Sequence, residues 1–181
     1  YYIIPASEKL ESHIINDKAE IPIGEITSQI VIQQTFIVEN NKLSGISLQL
    51  ATYDRINNNT QIISLLQGNK IIDTWEFQGQ TIADNTYKSF LLKNPLTEIK
   101  GQEFTLIITS KDGTYGNAIT IWASNEDYYN GGKLYVNGEL QKGDLSFKIL
   151  TEGNNSFIFT LYYIFIVIFI LLFFGLFWLL F

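Results

Sequence analysis

The chain predicts an all-β fold, an antiparallel jelly-roll β-sandwich of about nine strands followed by one C-terminal apolar helix. Three observations lead there. Apolar and polar residues alternate in short runs through the first 150 positions. Turn-forming Gly, Asn and Asp residues separate those runs at intervals of roughly 8–12 residues, the spacing of sandwiches and barrels. Residues 157–181 then carry no charge at all, whereas all 18 acidic and 12 basic residues lie before them.

Residues 1–28 show no sustained period, and Pro5 and Pro22 interrupt them, so they read as an irregular N-terminal arm. Alternation begins in 29–38 (QIVIQQTFIV) and continues in 43–53 (LSGISLQLATY), with Asn40-Asn41 between them. In the second run Ile46, Leu48 and Leu50 share one face, because successive strand residues point to opposite sides. A polar loop, 54–60 (DRINNNT), precedes strands over 61–66 and 70–77. Gly68-Asn69 joins that pair as a hairpin signal, since both residues accept positive φ. Further strands are predicted over 87–91, 104–109, 118–123, 133–136 and 144–150, punctuated by Asp112-Gly113 and Asn137-Gly138. Residues 96–101 have room for one helical turn at most. The predicted organisation is an arm over 1–28, a sandwich domain over 29–150, a linker over 151–156 and a terminal helix over 157–181.

That last run, FIFTLYYIFIVIFILLFFGLFWLLF, has 25 residues, and a bilayer core of about 30 Å takes about 20 apolar residues of helix. Tyr162, Tyr163 and Trp178 stand near its ends, where aromatic rings favour the headgroup level. These features predict a single-pass transmembrane helix with the sandwich on the extracytoplasmic, cell-surface side and the lipid bilayer as a partner. Charge bias does not orient it, because Lys142 and Lys148 are offset by Asp144 and Glu152. The chain starts at Tyr1 without Met and stops inside the apolar run, as a processed chain or a piece of a longer one would.

Composition removes several functions. The net charge of −6 with scattered Lys and Arg offers no basic stripe, so no nucleic-acid partner is expected. Zero cysteines exclude disulfides, thiolate catalysis and Cys-zinc sites. The single histidine, His13, sits in a polar stretch and leaves no Ser-His-Asp triad. A Gly-rich phosphate loop, HExxH and GxSxG are all missing. No catalytic residue, metal site or cofactor is assigned, and the chain is expected not to be an enzyme. Ca2+ is the one cofactor the loops could take, through carboxylate and amide oxygens at Asn125-Glu126-Asp127 or Asp112-Gly113.

Aromatic residues interleaved with amides suggest a ligand surface. A sugar ring stacks its apolar face on a flat amphipathic ring, while Asn, Asp or Arg bond its hydroxyls. Asn125, Asp127, Tyr128, Tyr129 and Asn130 form such a loop and are the candidate ligand-binding residues. Trp122, within the apolar run AITIWA, is assigned to the core. Sequons occur at Asn58-Asn59-Thr60 and Asn154-Asn155-Ser156 and matter only in a glycosylating compartment.

The stretch WASNEDYYNGGKLYVNGELQKGDLSFK, from Trp122 to Lys148, resembles the closing strands of carbohydrate-binding-like, jelly-roll domains. Such domains occur in bacterial surface proteins and in membrane glycosyltransferase-like proteins. The elements carrying the likeness are Tyr129, the Gly131-Gly132 hairpin, the strand 134–136, the Asn137-Gly138 turn and Asp144-Leu145-Ser146-Phe147. QQTFIVENNKLSGISLQLATYDR is similar to their opening strands, and the likeness spans about 25–150. It implies a jelly-roll module without importing a ligand or catalytic residues. The expectation is a membrane-anchored, non-catalytic module that binds glycan or serves an envelope-glycan system. The alternative is a structural or assembly subunit whose partners are other membrane protein subunits.

Overall fold

The structure, a computed structural model, describes residues 10–152 and 162–170. The chain divides into two compact units, Leu10–Thr151 and a second made of Tyr1–Lys9 with Glu152–Phe181. In the second, residues 162–170 form a helix of exposed Tyr, Ile, Phe and Val side chains. Among the described residues no helix is long and apolar enough to cross a membrane. The expected single-pass anchor and extracytoplasmic membrane localisation are therefore corrected. The nine described helical residues rise about 14 Å at 1.5 Å each, less than half of a bilayer core of about 30 Å. Residues 157–161 and 171–181 of the apolar run, the linker 153–156 and the second sequon lie outside the described residues.

The first unit is all-β. Its strands are β1 (Leu10–Asn16), β2 (Ile21–Pro22), β3 (Ile32–Ile37), β4 (Lys42–Ala51), β5 (Thr60–Gln67) and β6 (Lys70–Gln78). They continue with β7 (Thr86–Thr97), β8 (Glu103–Ser110), β9 (Thr120–Ala123), β10 (Leu134–Val136), β11 (Glu139–Leu140) and β12 (Phe147–Glu152). Two six-stranded antiparallel sheets result. One runs β1-β12-β4-β9-β2 with β7 on the other edge of β4, and the other runs β11-β10-β3-β8-β5-β6. The chain crosses between sheets at nearly every connection from β3 to β12, so most pairings join strands distant in sequence.

The alternation explains the faces. In β8 the residues Phe104, Leu106, Ile108 and Ser110 are buried while the intervening ones are half-exposed. β3 does the same with Ile32, Gln34 and Phe36. Facing them across the sandwich are Ile46, Leu48, Leu50, Phe90, Ile121, Phe147 and Ile149, and together these residues make one apolar cluster. The Phe36 ring stacks on Phe104 at 5.9 Å and meets Phe147 edge-on at 5.6 Å, tying the sheets together.

The irregular arm expected over 1–28 contains β1 and β2. β2 is too short to show a two-residue period and is held to β9 by backbone bonds, while a side chain anchors the end of β1. The buried Asn16 amide donates at 3.1 Å to Ser124 Oγ and to the carbonyls of Asp144 and Leu145. Residues 96–101 likewise differ from the helical turn allowed to them, since β7 runs through Pro95 to Thr97. Proline is tolerated there because β7 pairs only with β4, leaving its other edge without a ladder.

Candidate functional site

The five residues singled out from the sequence lie on one segment between β9 and β10, but they face different surroundings. Asn125 is exposed, and its backbone N–H donates to Glu20 Oε2 at 2.8 Å. Tyr128 is 52% exposed, and its hydroxyl reaches Glu20 Oε1 at 3.4 Å. The Glu20 charge beside it raises the Tyr128 pKa. Tyr129 turns inward. Its hydroxyl accepts the Ile37 N–H at 2.8 Å and donates to the Ile37 carbonyl at 3.1 Å, while its ring meets Phe147 edge-on at 6.1 Å. Burial raises its pKa. Asn130 is exposed, and Asp127 lines a separate cleft of about 250 Å³ toward β10 and β11. Tyr129 is thus a clasp that fixes the segment onto β3, and only Asn125 and Tyr128 converge, on Glu20. Tyr129→Phe is expected to cost about 1–2 kcal/mol in urea unfolding, because the Ile37 N–H and carbonyl lose their partner together.

Trp122 differs from its core assignment. It is half-buried, and its indole N–H donates to Asn85 Oδ1 at 2.8 Å. An apolar run on a strand does not specify burial of every member, because alternate residues leave the core face.

A second, more open cleft, of about 410 Å³ and with aromatic lining, lies at one end of the sandwich, lined by Gly24, Glu25, Tyr53, Arg55, Tyr115 and Gly116. Three connections meet there: the stretch after β2, the β4–β5 loop and the β8–β9 loop. Each is fastened by side chains. Thr52 N–H and its hydroxyl donate to Asp84 Oδ1 at 2.5 and 2.9 Å. These bonds, the Thr52 N–H first, lower the Asp84 pKa. Next to that anchor Tyr53 and Asp54 both take φ of +57°, a conformation non-glycine residues adopt only when their surroundings impose it. Asp112 holds the other side, with Oδ1 accepting Thr60 N–H at 2.6 Å and Oδ2 the Thr60 hydroxyl at 3.2 Å. Asn117 Oδ1 accepts the Asn58 N–H at 2.7 Å, joining the two loops directly.

In this frame the cleft presents rings and charges together. Tyr115 is 92% exposed and Tyr53 is 40% exposed. The Arg55 guanidinium lies over the Tyr53 ring at 4.9 Å and bonds the Glu25 carboxylate, which also accepts the Gly116 N–H at 3.0 Å. Glu25 is nearly covered while Arg55 stays partly open. The cleft therefore offers an aromatic wall, a cation with spare N–H donors and a carboxylate held in place, within the size range of small-ligand sites. The sequence signal was Tyr115 itself, a large ring in the polar loop SKDGTYGN with no apolar neighbour to pack on.

No protein-family model matches the chain, and no curated protein does. Among solved structures it is similar to a chain described as "EclA C-terminal domain; sugar-binding protein", with 16% identity and a TM-score of 0.30. That match covers 75% of this chain and 82% of the other. A TM-score of 0.30 is too low for the ligand of one chain to be transferred to the other.

Proposed function

We propose that the first unit is a non-catalytic, jelly-roll glycan-binding module and that the Tyr53–Tyr115 cleft holds a pyranose ring. The observation that supports this most is the almost complete exposure of Tyr115 in a cleft that a positioned Arg55–Glu25 pair also lines. An unpacked tyrosine ring in water loses the stabilisation that burial would supply. A sugar face restores that contact, and Arg55 and Glu25 supply a donor and an acceptor to its hydroxyls. Because those two charges neutralise each other, the fitting ligand is a neutral glycan. The earlier candidates Asn125 and Tyr128 meet at Glu20 instead, past the far end of β9, and take no part in this cleft.

The test is a glycan array followed by titration calorimetry with the full chain and Tyr115→Ala. Wild type is expected to retain neutral glycans, and the variant to bind about tenfold more weakly, the effect of about 1.4 kcal/mol of lost stacking, with its Tm unchanged. An array on which the wild type retains no glycan sinks the reading. Equal binding by Tyr115→Ala moves the site away from this cleft.

A further inference from the structure

The cleft beside β10 and β11 contains a carboxyl pair that no part of the glycan reading uses. It is lined by Asp127, Lys133, Gln141, Lys142 and Asp144, with glycines at 132 and 143. Asp144 is only 1% exposed. Its Oδ1 accepts the Gln34 amide at 2.9 Å, and Gln34 Oε1 in turn accepts the Leu145 N–H at 2.9 Å, so the side chain is held rigidly. Its Oδ2 is buried with no hydrogen-bond partner among the described residues. Leaving an ionised oxygen buried and unpaired is costly, so such a group signals something that completes it.

The surroundings narrow what that is. Burial chiefly raises the Asp144 pKa, the Gln34 amide and Tyr129 N–H oppose the rise, and the nearby Asp127 carboxyl adds to it. Neither lysine of the cleft bonds Asp144; Lys142 is instead paired with Glu126. Asp127 lines the same cleft as Asp144. Gln141 donates its Nε2 to the Glu139 carbonyl, which leaves its amide oxygen as a further hard ligand in the lining. The acceptor oxygens of the lining, one of them rigid and others on exposed chain, match a hard cation that tolerates irregular geometry and completes its shell with water, while the Lys142 ammonium is taken up by Glu126.

We propose that Asp127 and Asp144 together bind one divalent cation of the Ca2+ class in this cleft. No group of three or more His, Asp or Glu side chains converges among the described residues, so the site depends on these two carboxylates, an amide oxygen and water. The cation would neutralise the buried Oδ2 and fasten the segment carrying Asp127 to the start of β12. Carboxylate ligands hold a cation only when ionised, so cation stabilisation grows with pH.

The experiment compares thermal unfolding of the full chain in EDTA and in millimolar Ca2+, Mg2+ or Mn2+. Tyrosine-sensitised terbium luminescence reports occupancy independently. Wild type is expected to gain about 5 °C with Ca2+, to lose that gain as the pH falls, and to sensitise terbium. Asp127→Asn, an exposed and isosteric change, is expected to fold normally and to lose both responses, and Asp144→Asn to be cation-insensitive as well. Absence of any response to all three ions in wild type overturns the proposal and leaves a shared proton as what completes the pair. An equal response in Asp127→Asn also overturns it.

Discussion

Gly132→Ala is expected to lower the stability of the sandwich by about 3 kcal/mol, near the upper end for overpacking. In a chain of this size that is a Tm drop of about 10 °C. A Cβ on Gly132 would overlap the Thr35 carbonyl oxygen and stand 2.6 Å from its carbon. Both are backbone atoms of β3, so no rotamer change can relieve the clash. The two segments cannot simply move apart, because Thr35 N–H donates to the Lys133 carbonyl and Lys133 N–H to Thr35 Oγ1, each at 2.9 Å. Gly143→Ala is expected to behave alike, since its Cβ would overlap the Ser124 carbonyl oxygen and stand 2.6 Å from its carbon. Gly68→Ala is the control. Its φ of +55° strains an alanine, but nothing lies within 4 Å, so a loss of about 1 kcal/mol is expected. Equal losses at positions 68 and 132 in urea unfolding would show that backbone conformation, not close approach, selects these glycines.

The same glycine shows where sequence reasoning stops. Gly131-Gly132 reads as a hairpin by composition, yet the positive-φ glycines are Gly24, Gly68, Gly101, Gly116 and Gly138. A dipeptide announces that a side chain is unwelcome, and only the fold reveals whether φ or a neighbour is the cause. Where φ was the cause, the reading held locally. Gly68-Asn69 joins β5 to β6, with Gln67 opposite Lys70, and Asn137-Gly138 joins β10 to β11 with φ of +51° and +81°. Strand faces were equally legible where one side meets the core, as in β3 and β8. β4 is the exception within that set. Both its edges and most of both its faces are covered, so Ser44 and Ser47 are buried along with Leu48 and Leu50.

The aromatic cleft was legible only at Tyr115, and for a different reason. Tyr53 and Tyr115 are distant in the chain and meet only because β4–β5 and β8–β9 turn at the same end of the sandwich. Proximity along the chain instead drew attention to residues 125–130, whose side chains disperse to Glu20, to Ile37 and to the Asp144 cleft. In an antiparallel sandwich the chain returns to each end from remote positions, so a site assembled there leaves no compact motif. The Asp127–Asp144 pair follows the same logic. It joins an unsatisfied buried oxygen to a second carboxylate in one cleft, which spacing cannot express.

Phe36→Ala is expected to cost about 3–5 kcal/mol, the range for emptying a buried aromatic site. Phe36 is fully buried and is the ring through which β3 reaches both Phe104 of its own sheet and Phe147 of the opposite one. Phe147 also meets Tyr129, so the cavity would open beneath the residue that clasps the 124–133 segment to Ile37. Collapse around the void is restricted because β3 is bonded along both edges, to β8 and to β10. Phe36→Leu keeps most of the volume and is expected to cost less than about 1.5 kcal/mol. Ile56→Ala, at a loop side chain 80% exposed, should stay within about 0.5 kcal/mol. Urea unfolding of the three variants orders them directly. A small loss for Phe36→Ala would mean that the two sheets hold together without the Phe36–Phe147 contact. The Tyr129 clasp would then have to draw its rigidity from the Ile37 hydrogen bonds alone.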